Sequence, residues 1–144
     1  MANLIHSILP QPRHPIAYVN PDVSVAQCVS IMVQHNIGAL VVGDDENILG
    51  ILSERDLVRG LVYKGLSPNK TKASDVLHAD ITILQSSDTV EMAMEAITYT
   101  KRRHILVAED GKIVAILSIG DLLFNVLEDK KRVIEQLENY IHTY

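Results

Sequence analysis

Serine and aspartate recur at one spacing in this chain: Ser53 with Asp56 in "GILSERDL" (50–57), and Ser118 with Asp121 in "AILSIGDL" (115–122). In each copy an apolar run ends at the serine and a helix-forming run takes over at the aspartate. Two chemistries suit a hydroxyl and a carboxylate three residues apart at such a junction. The hydroxyl and nearby backbone N–H groups sit where a helix start favours anions. The aspartate can act as a cap, accepting from N–H groups that the first turn leaves unpaired. Alternatively its two oxygens can accept from a vicinal diol, such as the 2′- and 3′-hydroxyls of a ribose, in charge-assisted bonds worth roughly 1.5–3 kcal/mol. On the motif alone both readings stand, the cap being the more ordinary.

The elements that position the motif are duplicated with it. Residues 16–62 lie over 81–127 at a constant shift of 65 without a gap, so that Ile16 falls on Ile81, Val25 on Val90, Val42 on Val107, Asp45 on Asp110 and Ile48 on Ile113. An internal duplication accounts for that register. Each copy reads as β-α-β-β-α. The short apolar run Ile16–Val19 ends at the turn signal "NPD". Ser24 with Gln27, and Asp88 with Glu91 in the second copy, have the spacing of capping boxes. Val25, Cys28, Val29 and Met32 then recur on one helical face, and Asn36–Gly38 supplies a stop. Two hairpins follow the helices: Ala39–Val42 and Ile48–Leu52 around "GDDEN", and Ile105–Val107 and Ile113–Leu117 around "AEDG". Asp56 and Asp121 open the second helices. The expected fold class is α+β, with a first repeat in 1–64, a linker and lead-in in 65–79, a second repeat in 80–127 and a C-terminal helix extension in 128–144.

That last helix is predicted to run from Asp121 to about Ile141, far beyond its counterpart at 56–62. Leu123, Leu127, Ile134, Leu137 and Ile141 recur at near-heptad spacing, interrupted by Lys130. A homodimer contact along this seam is the expectation; the alternative is a helix folded back over its own domain.

Composition narrows the function classes. With 144 residues and 47% hydrophobic side chains, the chain can bury one good core or two small fused ones. A net charge of -5 argues against nucleic acid or an anionic membrane as partner, since both reward a basic face. A single cysteine excludes an internal disulfide and suits a reducing compartment. No apolar run reaches the roughly 20 residues of a membrane helix, and "MANLIHSILPQPRHP" has neither signal nor transit character. A soluble cytoplasmic protein is expected. Cys28, on the apolar helix face, reads as a buried thiol; Met92 and Met94 read as core filling, and 128–132 as a solvated helix face. The six histidines show no H-x-H or H-x-x-x-H spacing, so no metal site is expected. With no acid–base pair, no Gly-x-Gly-x-x-Gly and no P-loop, an enzyme is not expected.

The topology, the duplication and the doubled G/A-h-h-S-x-x-D pattern together resemble the cystathionine-β-synthase-type (CBS) domain pair, or Bateman module. The likeness covers about residues 1–127, and "SERDLVRGLVYKG…KRRHILVAEDGKIVAILSIGDLL" looks like the stand-alone pairs of bacteria and plant organelles. It implies two repeats related by a pseudo-two-fold axis, with two clefts that bind adenosine compounds. Carried over, Asp121 would hold a ribose with Ser118 near its phosphate, and Asp56 with Ser53 would do the same in the sister cleft. Ala17 and Ile37 would flank the adenine whose ribose meets Asp121, and Thr82 and Arg102 the one opposite Asp56. Arg103 and His104 fall where the family places phosphate ligands, and an arginine fork suits a phosphate or pyrophosphate. There are departures: many members have Pro where this chain has Val41 and Leu106, and the Gly kept as Gly50 becomes Ala115, whose Cβ could crowd backbone approach and so weaken one cleft.

The resemblance implies a non-catalytic nucleotide sensor acting on an effector protein in trans. Two motifs with Arg102, Arg103 and His104 between them suit NAD(H), or one AMP per cleft, ahead of ATP or ADP and then S-adenosylmethionine. The alternative is a dimerisation scaffold whose clefts are vestigial.

Overall fold

The computed structural model describes residues 3–10 and 15–143. The chain divides into two compact units, His14–Ile81 on one hand and Met1–Arg13 with Thr82–Tyr144 on the other.

In the first unit, strand β1 (Tyr18–Val19) runs parallel to β2 (Ala39–Gly43), which pairs antiparallel with β3 (Ile48–Ser53). Helix α2 (Val25–His35) crosses between β1 and β2. Ser24 caps it, accepting from the Gln27 N–H at 3.2 Å, and Asn36 ends it in the left-handed conformation (φ 51°), where its N–H reaches the Met32 and Val33 carbonyls. Val25, Cys28 and Met32 are buried, but Val29 is 36% exposed. At 3.6 residues per turn Val29 lies at the margin of that stripe, and the sheet covers only the centre. Burial also pushes the Cys28 thiol up from its ordinary pKa, in keeping with a structural role.

The second unit repeats this plan: β4 (Ile83–Gln85) parallel to β5 (His104–Glu109), β5 antiparallel to β6 (Lys112–Ser118), and α5 (Val90–Thr100) as crossover. Its helix cap is Thr89, which accepts from the Met92 N–H at 3.1 Å, and not the expected Asp88. Asp88 instead accepts from the Gln85 N–H at 2.8 Å and closes the preceding turn. Thr89 is the residue in register with Ser24. Met94 packs against the core as expected, whereas Met92 is 45% exposed and fills none. Both hairpins carry a register shift at the same point, Val42/Gly43 and Val107/Ala108. At Gly43 (φ 123°) a Cβ would stand 2.2 Å from the Asn47 carbonyl oxygen, so glycine is required there. The second hairpin turns on Asp110 and Gly111, both at positive φ, as a two-residue connection demands.

The units do not follow the repeats end to end. Short helix α4 (Ala73–Val76) lies in the lead-in to the second repeat, yet Ala73 and Val76 fill the first unit's core. The Ala73 N–H bonds the Val23 carbonyl, and the Val25 N–H bonds Thr71. Helix α1 (Ile5–Ile8) precedes the first repeat and completes the second unit in the same manner. Ile5 and Leu9 join its core, the Ile5 N–H bonds Asp88, and the Val90 N–H bonds Asn3. Each sheet and crossover helix is closed by the segment that leads into the other copy.

After β3 the chain forms α3 (Glu54–Leu57) and widens into a π-helical turn, Val58–Val62, where a plain helix is expected. After β6, α6 runs from Ile119 to Thr143. Leu122 is fully buried and Val126 packs on the core, but Leu127, Val133, Ile134, Leu137 and Ile141 are 52–67% exposed. Beyond Val126 the helix does not fold back over its own unit. No helix among the described residues is long and apolar enough to cross a membrane.

Candidate functional site

Each Ser-x-x-Asp motif sits at the end of the last strand of its sheet. Ser53 is 5% exposed; its hydroxyl accepts from the Asp56 N–H at 3.3 Å, while Asp56 Oδ2 accepts from the Ser53 N–H at 2.8 Å. Ser118 and Asp121 repeat the exchange: the hydroxyl accepts from the Asp121 N–H at 3.1 Å, and Asp121 Oδ2 accepts from the Ser118 N–H at 2.8 Å. The helices thus open at Glu54 and Ile119, not at the aspartates: Ser53 caps α3, Asp56 closes the capping box from the third helical position, and Ser118 and Asp121 make the same exchange at the start of α6. The reciprocal box uses one carboxylate oxygen, and among the described residues Oδ1 of each aspartate has no partner.

The two sites then diverge. Asp56 Oδ2 also accepts from the Ser53 hydroxyl at 2.8 Å and lies 2.7 Å from His78 Nδ1. Burial alone would push this carboxyl up, but the bonds from His78 and from the Ser53 N–H and hydroxyl outweigh it and hold the carboxyl below its ordinary value. His78 is positioned by its backbone, which exchanges two hydrogen bonds with Ile51: the His78 N–H to the Ile51 carbonyl at 2.9 Å and the Ile51 N–H to the His78 carbonyl at 3.0 Å. In the second unit the position matching His78 is Arg13, which lies outside the described residues, and Asp121 is exposed.

The second unit has a different set of neighbours. His104 opens β5 directly opposite Ser118, and the Arg103 carbonyl accepts from the Ile119 N–H at 3.1 Å. Arg103, His104, Ser118 and Asp121 are thus gathered at one corner. The corresponding corner of the first unit has Gly38, whose carbonyl accepts from the Glu54 N–H, and Ala39 opposite Ser53. Arg102, half-buried, follows α5, and Ile37, half-buried, follows α2. Ala17 and Thr82 are equivalent: each carbonyl accepts from the next strand, from Val41 at 3.0 Å and from Leu106 at 2.9 Å. Ala17 and Ile37 belong to the unit of Asp56, Thr82 and Arg102 to the unit of Asp121.

Gly50 has a structural explanation. A Cβ there would meet the His78 carbonyl oxygen at 2.3 Å and Leu77 Cδ1 at 2.8 Å, so the close approach it permits is that of the chain's own lead-in segment. Two open depressions of about 460 and 310 Å³ share Tyr18, Val19 and Asn20, and neither is lined by Ser53 or Asp56. No group of three metal-ligating side chains occurs among the described residues. Sequence reasoning passed over His78, which carries no spacing signal and becomes visible only when the lead-in pairs with β3.

Two sheets of one topology, each ending in the same strand–Ser-x-x-Asp–helix junction, define a tandem repeat module. The chain belongs to the CBS-domain family: the CBS domain model matches it twice, over residues 5–63 and 73–128. It is 33% identical over 126 residues to the mitochondrial CBS domain-containing protein CBSX3 of Arabidopsis thaliana, an alignment covering 83% of this chain and 61% of that protein. The chain thus spans less than two thirds of that relative's length. A putative signal-transduction protein with CBS domains from Burkholderia ambifaria superposes with a TM-score of 0.79 at 30% identity, covering 87% of this chain and 92% of that one. A hexameric CBS-CP12 protein from bloom-forming cyanobacteria shares the fold at a TM-score of 0.76 and 21% identity, covering 86% and 68%. This chain is a pair of CBS domains.

Proposed function

We propose that the chain is a non-catalytic sensor of adenosine nucleotides, NAD(H) or AMP before ATP or ADP, acting on an effector protein in trans. The observation that supports it most is the corner of the second unit. There a carboxylate with one unengaged oxygen stands beside a serine, an arginine and a histidine. The carboxylate suits a ribose diol, and Arg103 with His104 suits a phosphate. Capping and ribose binding are compatible, because the cap occupies only Oδ2. Ala17, Ile37, Thr82 and Arg102 are the proposed adenine neighbours. A nucleotide would switch the module only by binding one arrangement of the repeats more tightly than another.

A homodimer through α6 belongs to the same reading. Leu123, Leu127, Ile134, Leu137 and Ile141 leave an exposed seam at near-heptad spacing, interrupted by Lys130, a pattern that suits a helix pair. The cyanobacterial relative shows that this fold assembles into oligomers.

Isothermal titration with AMP and NAD(H) tests the sensor. Asp121→Asn is expected to weaken binding about tenfold or more, the worth of a charge-assisted bond. No heat and no thermal stabilisation by any adenosine compound would leave a scaffold with vestigial clefts.

A further inference from the structure

The duplicated motifs are identical in the residues that define them, but their carboxylates are not equally available. A carboxylate offers about four lone-pair positions on two oxygens. At Asp121, among the described residues, one of these is taken, by the Ser118 N–H. At Asp56 three donors converge on Oδ2: the Ser53 N–H, the Ser53 hydroxyl and the imidazole of His78, at 2.8, 2.8 and 2.7 Å. A diol spanning both oxygens of Asp56 must displace one of these bonds, and a diol on Asp121 displaces none. The side chains of His78 and Asp56 are 23% and 18% exposed, so this pair holds where water competes weakly. Removing the proximity of His78 leaves its own anchorage intact, because His78 is tethered to Ile51 by main-chain bonds alone.

We infer that His78 makes the two nucleotide sites unequal, holding the Asp56 carboxylate against the ribose so that the Asp121 site fills first. The inference rests on the nucleotide reading above. It assigns His78 a positioning role, acting through Asp56 without touching ligand. The repeat that carries Arg103 and His104 becomes the primary site, and the repeat completed by His78 a secondary one that fills at higher concentration.

Titration of the whole chain with AMP tests this. Wild type is expected to show two binding phases at least tenfold apart in affinity. Asp121→Asn removes the stronger phase and Asp56→Asn the weaker. His78→Ala, and His78→Phe, which keeps the ring volume without a donor, are each expected to strengthen the weaker phase about tenfold and narrow the gap. Two equal phases in wild type, or a gap unchanged in both His78 variants, would overturn the inequality while leaving the sensor standing. Absence of any binding would overturn both. A ligand-free measurement separates the cases: by NMR, the Asp56 carboxyl titrates at higher pH in His78→Phe than in wild type, and an unchanged titration refutes the hold of His78 on Asp56.

Discussion

Asp56 and Asp121 occupy equivalent places in their repeats and make the same two backbone exchanges with a serine, yet one carries a network and the other a single bond. The difference is supplied by a residue outside the repeat register, and it has a thermodynamic signature. The Asp56 carboxyl is held below its ordinary value of 3.8. Its charged form therefore stabilises the fold fully above about pH 4, and that contribution is lost as pH falls through the lower folded value. Asp56→Ala is expected to cost about 2 kcal/mol in urea unfolding at neutral pH, through loss of the cap and the bonds to His78 and Ser53. The gap between variant and wild type should close below about pH 4. A gap independent of pH would mean that the carboxylate's charge plays no part. The motif, its duplication and its capping role are legible in the sequence because they depend on local spacing. His78 is not, because its side chain reaches Asp56 through a pairing between segments more than twenty residues apart.

At the scale of elements, periodicity located both hairpins, both crossover helices and the strand–helix junctions, since alternation and 3.6-residue recurrence record which face is buried. It misassigned details where two local partners compete. Asp88 and Thr89 are adjacent and both able to cap; the turn before α5 claims Asp88, and the helix is left with Thr89. The fate of the Gly50–Ala115 difference is similar. The sequence suggests that a Cβ here would crowd a backbone approach, and at Gly50 the backbone that approaches is that of the lead-in segment. Gly50→Ala should therefore destabilise the fold by about 1–3 kcal/mol, even though alanine is what the sister repeat uses. Ala115→Gly should cost only the lower strand propensity of glycine, about 0.5–1 kcal/mol. Chemical denaturation of the two variants checks the contrast, and equal costs would show that His78 yields readily to a new Cβ.

At the scale of the molecule, the proposed homodimer turns on α6. Its first turns belong to the second unit through Leu122 and Val126, and the rest presents apolar side chains with no cover within the chain. A protein ending at Asp129 keeps Leu122 and Val126 and loses the outer seam. Sedimentation is expected to show a dimer for the full chain and a monomer for the shortened one. A shortened protein that still sediments as a dimer places the principal contact elsewhere. The helix's length is legible in its heptads; whether the seam turns inward is not, because a period specifies an apolar face without specifying what meets it.

The crossed completion of the two units sets an order of events during synthesis. Residues 14–81 hold everything the first sheet requires and can close as soon as they leave the ribosome. Ile5 and Leu9 emerge before them but have no site until β4, β5, β6 and the start of α6 have followed. Residues made before the first unit thus dock after it has closed. Until they do, two apolar side chains wait in the open, where a chaperone would find them.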